Sequence, residues 1–187
     1  MKIIILNGHN QSGKDKLADL IAGYHKPTVK LSTIWDTQIP KIAEQAGWDG
    51  KKDERGRQLL CDLKDAQTRY NNGPFLDVCA IINRWADVIG NAWATVMCRE
   101  PAEIQKFVEA YPGQTLTVLV RRDGEPANNH ADQNVEDFVY DVIIENNGTE
   151  AELATEAFIL TKNIENLGND NWQGFKSLTT TVERKNE

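Results

Sequence analysis

The stretch LNGHNQSGKDKLADLI, residues 6–21, decides the fold of this chain of 187 residues. Two glycines, Gly8 and Gly13, stand five positions apart, and Lys14 follows the second glycine directly. A mostly β-branched and aliphatic run at residues 2–6 comes first and predicts a strand that is buried on both faces. The pattern therefore predicts a strand that leads directly into a glycine-rich loop.

A helix is predicted after the second glycine, because apolar residues recur there at helical spacing. It extends from Lys14 to roughly Tyr24, and its apolar face contains Leu17, Leu20 and Ile21. A strand that passes through a glycine loop into a helix forms the first half of a βαβ unit.

Strands and helices alternate along the rest of the sequence. Further strands are predicted at residues 29–31, 93–98, 115–120 and 140–146, and further helices at 34–45, 57–72, 75–90, 101–111 and 148–164. The helix at 34–45 is either interrupted or begins near Pro40, and a polar, glycine-marked break at 47–56 follows it. This alternation predicts an α/β fold with a parallel sheet that is covered by helices on both faces.

The spacing of glycine and lysine in the loop suits the binding of a phosphate group. Gly8 and Gly13 allow the backbone to curl, so that successive N–H groups point at a phosphate oxygen near the positive end of the following helix. Lys14 adds a positive charge that can follow a phosphoryl group during its transfer. A simple glycine turn before a helix is the alternative explanation.

Asp15 stands where the usual loop of this kind has a serine or threonine whose hydroxyl binds magnesium. A carboxylate can also reach Mg²⁺, directly or through one of the waters that this ion keeps. Alternatively, Asp15 stabilises the helix N-terminus through the helix dipole, and the two roles are compatible. The sequence therefore predicts a magnesium site in which Asp15 replaces the usual hydroxyl.

Composition and charge limit the classes of protein to which the chain can belong. The net charge is −7, and an acidic chain is not expected to bind duplex nucleic acid, which needs a basic face. The three cysteines lack CxxC spacing and are expected to be reduced thiols of a cytoplasmic protein. The first apolar run is too short for a signal peptide or a membrane span, so we expect no membrane association.

The sequence SGKD at residues 12–15, after an N-terminal strand, resembles the loop of the small P-loop kinases of the nucleoside monophosphate kinase superfamily. Phage-type deoxynucleoside monophosphate kinases and animal phosphomevalonate kinase carry SGKD in the same place. Later segments that resemble these kinases in order are VKLSTIWDTQIPKIAEQAG (29–47), GRQLLCDLKD (56–65), CREPAEIQKFVEAYPGQTLTVLVRR (98–122) and YDVIIENNGTEAEL (140–153). The matching pieces span about residues 2–165.

The resemblance implies a three-layer P-loop NTPase fold with a short lid loop. It also implies transfer of the γ-phosphoryl group of ATP, with Mg²⁺, to a phosphorylated small molecule such as a (deoxy)nucleoside monophosphate. The residues that would hold the triphosphate and its metal are Gly8, His9, Asn10, Gln11, Ser12, Gly13, Lys14 and Asp15. Besides Lys14, the catalytic cations would be Arg99, which would hold the acceptor phosphate, and the lid arginines Arg121 and Arg122; an exposed arginine at a helix start is the alternative for Arg99.

Other polar residues have both a functional and a structural explanation. Arg57 is a second candidate for the acceptor phosphate and Asp36 for orienting an acceptor group, whereas a solvated helix arginine and a helix-start aspartate are the alternatives. Asn146 would border the adenine, although a tight turn and helix capping by Thr149 explain the same segment. His130, in the lid loop, is interpreted as a surface or hinge residue rather than a base.

The sequence departs from the resemblance at Met97, where such kinases often carry an aspartate that helps to organise magnesium. Either Asp15 takes over the metal, or nucleotide and water hold it, or the activity is weak or lost. Met97 and Asp15 therefore leave a nucleotide-binding module without turnover as an alternative. The same chemistry on dephospho-coenzyme A or another small phosphorylated metabolite is a second alternative, because the choice of acceptor depends on residues 34–90. A structural or interaction protein with a chance glycine loop is a third.

The predicted organisation is one P-loop kinase domain at residues 1–167 and a C-terminal tail at 168–187. Within the domain, the acceptor-binding region lies at about 34–90 and the lid at about 121–137. The predicted partner is a small phosphorylated substrate, and the chain is expected to be a monomer or a homodimer.

Overall fold

The structure, a computed structural model, describes residues 1–124 and 134–166. The strands and helices follow one another over these residues in the order that the sequence predicts. The strands are β1 (Lys2–Asn7), β2 (Thr28–Ser32), β3 (Trp93–Met97), β4 (Thr115–Arg121) and β5 (Val142–Glu145). The helices are α1 (Lys14–Tyr24), α2 (Ile39–Gln45), α3 (Glu54–Asn71), α4 (Gly73–Val88), α5 (Pro101–Ala110) and α6 (Glu150–Asn166).

The strands form a five-stranded parallel sheet in the order β2-β3-β1-β4-β5, which confirms the predicted α/β class. The first strand, β1, lies between β3 and β4, and its Leu6 is in register with Met97 on one side and Val118 on the other. Because the strands are parallel, their carboxyl ends meet at one edge of the sheet. Ligands of open α/β sheets bind at this edge, where Asn7 leads into the glycine loop.

Helices cover both faces of the sheet. Helices α1 and α6 pack on one face, and this core consists of Ile4, Leu6, Trp93, Leu116, Val118, Val120, Ile144, Leu17, Ala18, Ile21, Leu153, Ala157, Leu160 and Ile164. Side chains alternate between the faces of a strand, so the fully buried Ile3 and Ile5 of β1 point the other way. Helix α5 contributes the fully buried Ile104 and Phe107 outside that core. The predicted three-layer arrangement is confirmed.

The chain divides into two compact units. The first unit combines Met1–Lys30 with the chain from Ile89 onward, and the second unit is Leu31–Val88. The core of the second unit contains Ile39, Ala43 and Leu60, against which Ile34, Trp48, Leu59 and Leu63 pack. The assignment of residues 1–167 to one domain, with an acceptor-binding region at about 34–90, stays a prediction.

Prolines lie at the starts of helices α2 and α5, where the sequence predicts them. Helix α2 begins at Ile39, next to Pro40, so of the two possibilities for residues 34–45 a start near the proline is the correct one. Helix α5 begins with Pro101, as predicted, because the first helical position has no use for a backbone N–H donor.

Helix α3 begins three residues earlier than the apolar pattern suggests, at Glu54 rather than Arg57. The predicted break at 47–56 is therefore too long at its end. The reason is a cap: the Asp53 side chain accepts a hydrogen bond at 2.8 Å from the N–H group of Gly56. The predicted break includes Gly56, which lies in the first turn of the capped helix.

Over the described part of the chain, no helix combines the length and the apolar character needed to cross a membrane. Part of the predicted lid lies outside the described residues. The whole of the predicted tail at 168–187 also lies outside them. His130 also lies outside them.

Candidate functional site

The loop between β1 and α1 has a backbone that favours glycine at two positions. Gly8 has a φ of 150° and Gly13 a φ of 98°. A Cβ atom on Gly8 would collide with the carbonyl oxygen of Val120 and the hydroxyl of Ser12. Gln11 is also left-handed, with a φ of 64°, which costs a non-glycine residue about 1–2 kcal/mol. The loop is therefore held in a tightly curled form.

Helix α1 begins directly after this loop and directs the positive end of its dipole toward it. Gly13 is the N-cap residue and provides no side-chain cap, while its carbonyl oxygen accepts a hydrogen bond at 2.9 Å from the N–H group of Leu17. A helix start without a side-chain cap presents backbone N–H donors to an anion. The arrangement suits a phosphate group.

Lys14 is held against the loop. Its side chain is nearly buried, with 5 % of the residue exposed, and Nζ donates a hydrogen bond at 3.0 Å to the carbonyl oxygen of His9. The backbone N–H group of Ser12 donates to the same oxygen at 3.2 Å. A full positive charge is thereby fixed beside the curled backbone.

Two buried polar atoms of the loop, Ser12 Oγ and His9 Nδ1, have no hydrogen-bond partner within residues 1–124 and 134–166. Only 2 % of Ser12 is exposed. Buried polar atoms are nearly always paired, because an unpaired one loses its hydration without compensation. Such atoms in a curled loop at the ligand-binding edge of a parallel sheet favour a ligand that supplies polar groups.

Asn146, which follows β5, supports this loop from the neighbouring strands. Its side-chain Nδ2 donates to the carbonyl oxygen of Ser12 at 2.8 Å, and its backbone N–H donates to the carbonyl oxygen of Arg121 at 2.7 Å. A Cβ atom on Gly13 would collide with the same side-chain amide. The structure therefore brings Asn146 to the loop, and its role beside the adenine stays a prediction.

Thr149 caps helix α6, as the structural explanation of this segment predicts. The N–H group of Glu152 donates to Thr149 Oγ1 at 3.3 Å, and the N–H group of Thr149 donates to Glu152 Oε2 at 2.6 Å. This reciprocal pair is a capping box.

Arg121, at the end of β4, is engaged by two carboxylates. Its Nε and Nη2 donate to Glu136 at 3.2 and 2.6 Å, and Nη1 donates to Glu145 at 2.8 Å. The hydrogen bonds from Arg121 lower the pKa of Glu136 and keep it ionised. Glu136 also lies 3.9 Å from His9 Nε2, so the ion pair adjoins the loop. The charge of Arg121 is offset here, whereas Arg122 is exposed.

Asp15 lies exposed in the first turn of α1. Met97 ends β3 opposite Leu6, and its half-buried side chain packs against the core. Within the part of the chain that the structure describes, no group of three or more His, Cys, Asp or Glu could hold a metal ion. Asp15 remains the predicted metal ligand of the loop.

Arg99 follows β3 and lies at the same edge of the sheet as the loop. Its carbonyl oxygen accepts a hydrogen bond at 3.0 Å from the side-chain amide of Asn7, the last residue of β1. The residue is half-buried, and its role toward the acceptor stays a prediction.

The two other acceptor candidates, Asp36 and Arg57, belong to the second unit. Asp36 Oδ2 accepts a hydrogen bond at 2.8 Å from the N–H group of Ser32. Nε of the exposed Arg57 donates to the carbonyl oxygen of Lys52 at 2.8 Å. These local contacts are those of an aspartate that closes a turn and of a surface arginine, and the acceptor roles stay predictions.

Sequence reasoning missed three residues beside the loop: Asn7, Glu136 and Tyr140. Asn7 is a fully buried polar residue at the end of a strand that is otherwise mostly apolar. The change from apolar residues to a polar one at this position is the sequence signal that could have identified it. Its contact with Tyr140 joins residues 133 positions apart, and no local pattern indicates such a pair. The same holds for the pairing of Glu136 with Arg121.

No protein-family model and no curated protein matches the chain. Among solved structures, a thymidylate kinase from Candida albicans is 11 % identical, with 88 % of this chain and 92 % of that chain covered and a TM-score of 0.53. A gluconokinase from Sinorhizobium meliloti 1021 is 18 % identical, with 89 % and 95 % covered and a TM-score of 0.48. A shikimate kinase from Aquifex aeolicus is 14 % identical, with 89 % and 99 % covered and a TM-score of 0.47.

The likeness to the thymidylate kinase concerns the fold. Together with the parallel sheet, it shows that this chain has the P-loop kinase fold. The narrower resemblance to phage-type deoxynucleoside monophosphate kinases and phosphomevalonate kinase stays a prediction.

Proposed function

We propose that this chain is an ATP-dependent kinase that transfers the γ-phosphoryl group to a (deoxy)nucleoside monophosphate. The observation that carries the proposal is the loop at residues 8–15, with its two left-handed glycines, its uncapped helix start and its buried Lys14. These features provide directed N–H donors and a positive charge for a phosphate chain. The fold supports a kinase over a structural protein with a chance glycine loop.

The residues of the loop fit a nucleoside triphosphate. The curled backbone leaves no room for a Cβ on Gly8. Ser12 Oγ is buried without a hydrogen-bond partner among the described residues, so a phosphate oxygen could bind it. Lys14 would balance the negative charge that moves with the γ-phosphoryl group, after exchanging its hydrogen bond to His9 for one to the ligand. Catalysis would consist of positioning and charge stabilisation rather than covalent chemistry by the protein.

Asp15 would hold Mg²⁺, directly or through water, since it is the loop carboxylate at the start of α1. When bound, the ion would supply positive charge that offsets the negative charge of the phosphate groups. Arg99 would bind the acceptor phosphate, and Arg121 or Arg122 would cover the phosphates and exclude water from them. For Arg121 this role requires release from its two carboxylates.

The acceptor would be a (deoxy)nucleoside monophosphate, one of whose phosphate oxygens forms the new P–O bond. The bond between the γ-phosphorus and the β,γ-bridging oxygen breaks, so the products are ADP and a nucleoside diphosphate. Asp36 and Arg57 would bind the acceptor within residues 34–90. Dephospho-coenzyme A, which would accept the phosphoryl group on a hydroxyl oxygen with loss of its proton, or another small phosphorylated metabolite is the alternative acceptor, and ADP is the other product in each case.

A second candidate function is nucleotide binding without turnover. Two observations favour it: β3 ends in Met97 instead of a carboxylate, and Arg121 is already paired with Glu136 and Glu145. A protein with these features would retain the phosphate-binding loop and lose part of the charge that stabilises transfer.

The test is release of ADP from Mg-ATP by the wild type, Lys14→Ala and Lys16→Ala. The acceptor panel contains ribo- and deoxynucleoside monophosphates, dephospho-coenzyme A and phosphomevalonate. Lys16→Ala is the matched control, because it removes a lysine of the same helix turn whose exposed side chain pairs with Glu150. We expect one acceptor to be used and Lys14→Ala to lose about 10²–10³-fold in rate, with Lys16→Ala near the wild type.

Other outcomes decide between the alternatives. ATP binding without turnover on any acceptor would contradict the kinase and support the binding module. Absence of ATP binding by a folded wild type would overturn both.

A further inference from the structure

Asn7 uses both ends of its side-chain amide at the entrance of the phosphate-binding loop. Oδ1 accepts a hydrogen bond at 2.8 Å from the N–H group of Gly8. Nδ2 donates to the carbonyl oxygen of Arg99 at 3.0 Å and to the hydroxyl of Tyr140 at 2.6 Å. The residue is fully buried, so a broken bond here would leave a polar group without water.

Tyr140 extends this connection to the segment before β5. Its hydroxyl accepts from Asn7 and donates to the carbonyl oxygen of Val135 at 2.7 Å. Burial raises the pKa of Tyr140 to about 12, so the phenol keeps the proton that this donation requires. The ring also makes an edge contact with Phe138, with the centroids 5.1 Å apart.

The three connected segments carry the groups that the proposed reaction needs. Gly8 opens the phosphate-binding loop, and Arg99 is the predicted acceptor arginine. The segment at 134–140 contains Glu136, which pairs with the predicted lid arginine Arg121. Hydrogen bonds of the Asn7 amide and the Tyr140 hydroxyl therefore connect all three segments, and no charged side chain lies in this connection.

We propose that Asn7 and Tyr140 form a positioning pair that sets the Gly8 peptide and the Arg99 backbone relative to the segment at 134–140. The inference rests on the proposed function, because the groups that it positions are those that would bind ATP and the acceptor. Both residues would act through the backbone groups that they bind and not by contact with the reacting atoms. Their effect is to keep the loop entrance in one orientation, and a displacement of about 1 Å at such a place costs about 10²-fold in rate.

The test compares Tyr140→Phe with Tyr24→Phe in the full chain. Tyr24→Phe is the matched control, because the Tyr24 hydroxyl also donates to a backbone carbonyl, that of Ala154 at 3.4 Å, but Tyr24 lies at the far end of α1. The readouts are the KM for ATP, kcat and the dissociation constant of adenylyl imidodiphosphate, each measured where both variants are fully folded. A purely structural hydroxyl would change the unfolding midpoint and leave these constants unchanged.

We expect Tyr140→Phe to weaken analogue binding and to raise the KM for ATP by about tenfold, with Tyr24→Phe within about twofold of the wild type. Asn7→Ala should show at least the same loss. The double variant Asn7→Ala/Tyr140→Phe should lose little more than Asn7→Ala alone, because both changes break one connection. If Asn7→Ala does not fold, Tyr140→Phe decides the matter alone.

The two possible failures are distinguishable. If the wild type binds the analogue and Lys14→Ala does not, but Tyr140→Phe equals Tyr24→Phe, the positioning pair is overturned and the proposed function stands. If the wild type binds no nucleotide at all, the proposed function is overturned, and the positioning pair with it.

Discussion

The side chain of Asn146 donates a hydrogen bond to the carbonyl oxygen of Ser12 at 2.8 Å and lies where a Cβ atom of Gly13 would stand. The residues are 134 positions apart in sequence, so folding of β5 beside β4 brings this support to the loop. The absence of a side chain on Gly13 is therefore needed twice, for the left-handed backbone and for the approach of Asn146.

Gly13→Ala should abolish nucleotide binding and lower the free energy of unfolding by about 1–3 kcal/mol. The alanine methyl group would displace Asn146 and would force φ away from 98°. Urea denaturation would measure the stability and a fluorescent ATP analogue the binding. Unchanged binding by Gly13→Ala would show that the loop conformation does not matter for the ligand.

Gly23→Ala is the matched control in the same helix. Among residues 1–124 and 134–166, apart from its chain neighbours and the backbone of its own helix, no atom lies within 4 Å of a Cβ built on Gly23, and its φ is not left-handed. Alanine in a helix is more stable than glycine by about 0.5–1 kcal/mol, so this variant should gain stability and keep nucleotide binding. The two alanine substitutions should therefore change stability in opposite directions.

Asp15→Asn tests the predicted metal ligand. If Asp15 holds Mg²⁺, this variant should require at least about tenfold more Mg²⁺ for half-maximal ATP turnover, whereas Asp15→Ser should restore the usual hydroxyl ligand. Both substitutions remove a negative charge from the first turn of α1 and should cost about 0.3–1 kcal/mol through the helix dipole. Equal Mg²⁺ dependence in the wild type and Asp15→Asn would leave Asp15 with the dipole role alone.

Glu136→Gln should tighten ATP binding by about two- to fivefold, or ~0.5–1 kcal/mol. The substitution removes a negative charge beside His9, and it also releases Arg121 from its bidentate partner. Isothermal titration at low and high salt would measure the change, which should shrink as salt screens the charges. Glu156→Gln, an exposed change on α6, controls for the loss of one charge. Weaker ATP binding by Glu136→Gln than by Glu156→Gln would show that the Arg121–Glu136 pair supports the site.

The fold was predictable because its signals are local. Strand β1 is indicated by the aliphatic run that ends at Leu6, and helix α1 by the helical spacing after Lys14. Each signal lies within about a dozen consecutive residues, and both elements form where the sequence predicts them. The start of α3 was predicted wrongly for an equally local reason. There the cap at Asp53 outweighs the glycine at Gly56.

The candidate site was predictable only where its residues are consecutive. The spacing of glycine and lysine at residues 8–15 by itself indicates phosphate binding. The residues that surround this loop in the structure have no such spacing in the sequence. The pairing of Arg121 with Glu136 converts a predicted lid cation into an ion pair, and only the three-dimensional arrangement contains that information. The approach of Tyr140 to Asn7 depends in the same way on the path of the chain before β5.

His25 should make the stability of the protein depend on pH. Its ring stacks on Trp93, with centroids 3.8 Å apart and planes 10° apart, and its Nδ1 is 3.2 Å from the hydroxyl of Thr28. Burial lowers the pKa of His25 from its ordinary value of 6.5, and the positive charge of Lys2 acts in the same direction, while Glu165 opposes them. The folded state therefore binds this proton less readily than the unfolded state.

The free energy of unfolding should consequently be highest above pH 6.5 and should fall as the pH decreases through the lower pKa of the folded state. The slope is at most about 1.4 kcal/mol per pH unit for one group. Urea denaturation of the wild type and His25→Asn between pH 7.5 and 5 would measure it. The variant should be less stable at pH 7.5, because it loses the ring contact with Trp93, and its stability should change less with pH. An unchanged slope in His25→Asn would assign the pH dependence to other groups.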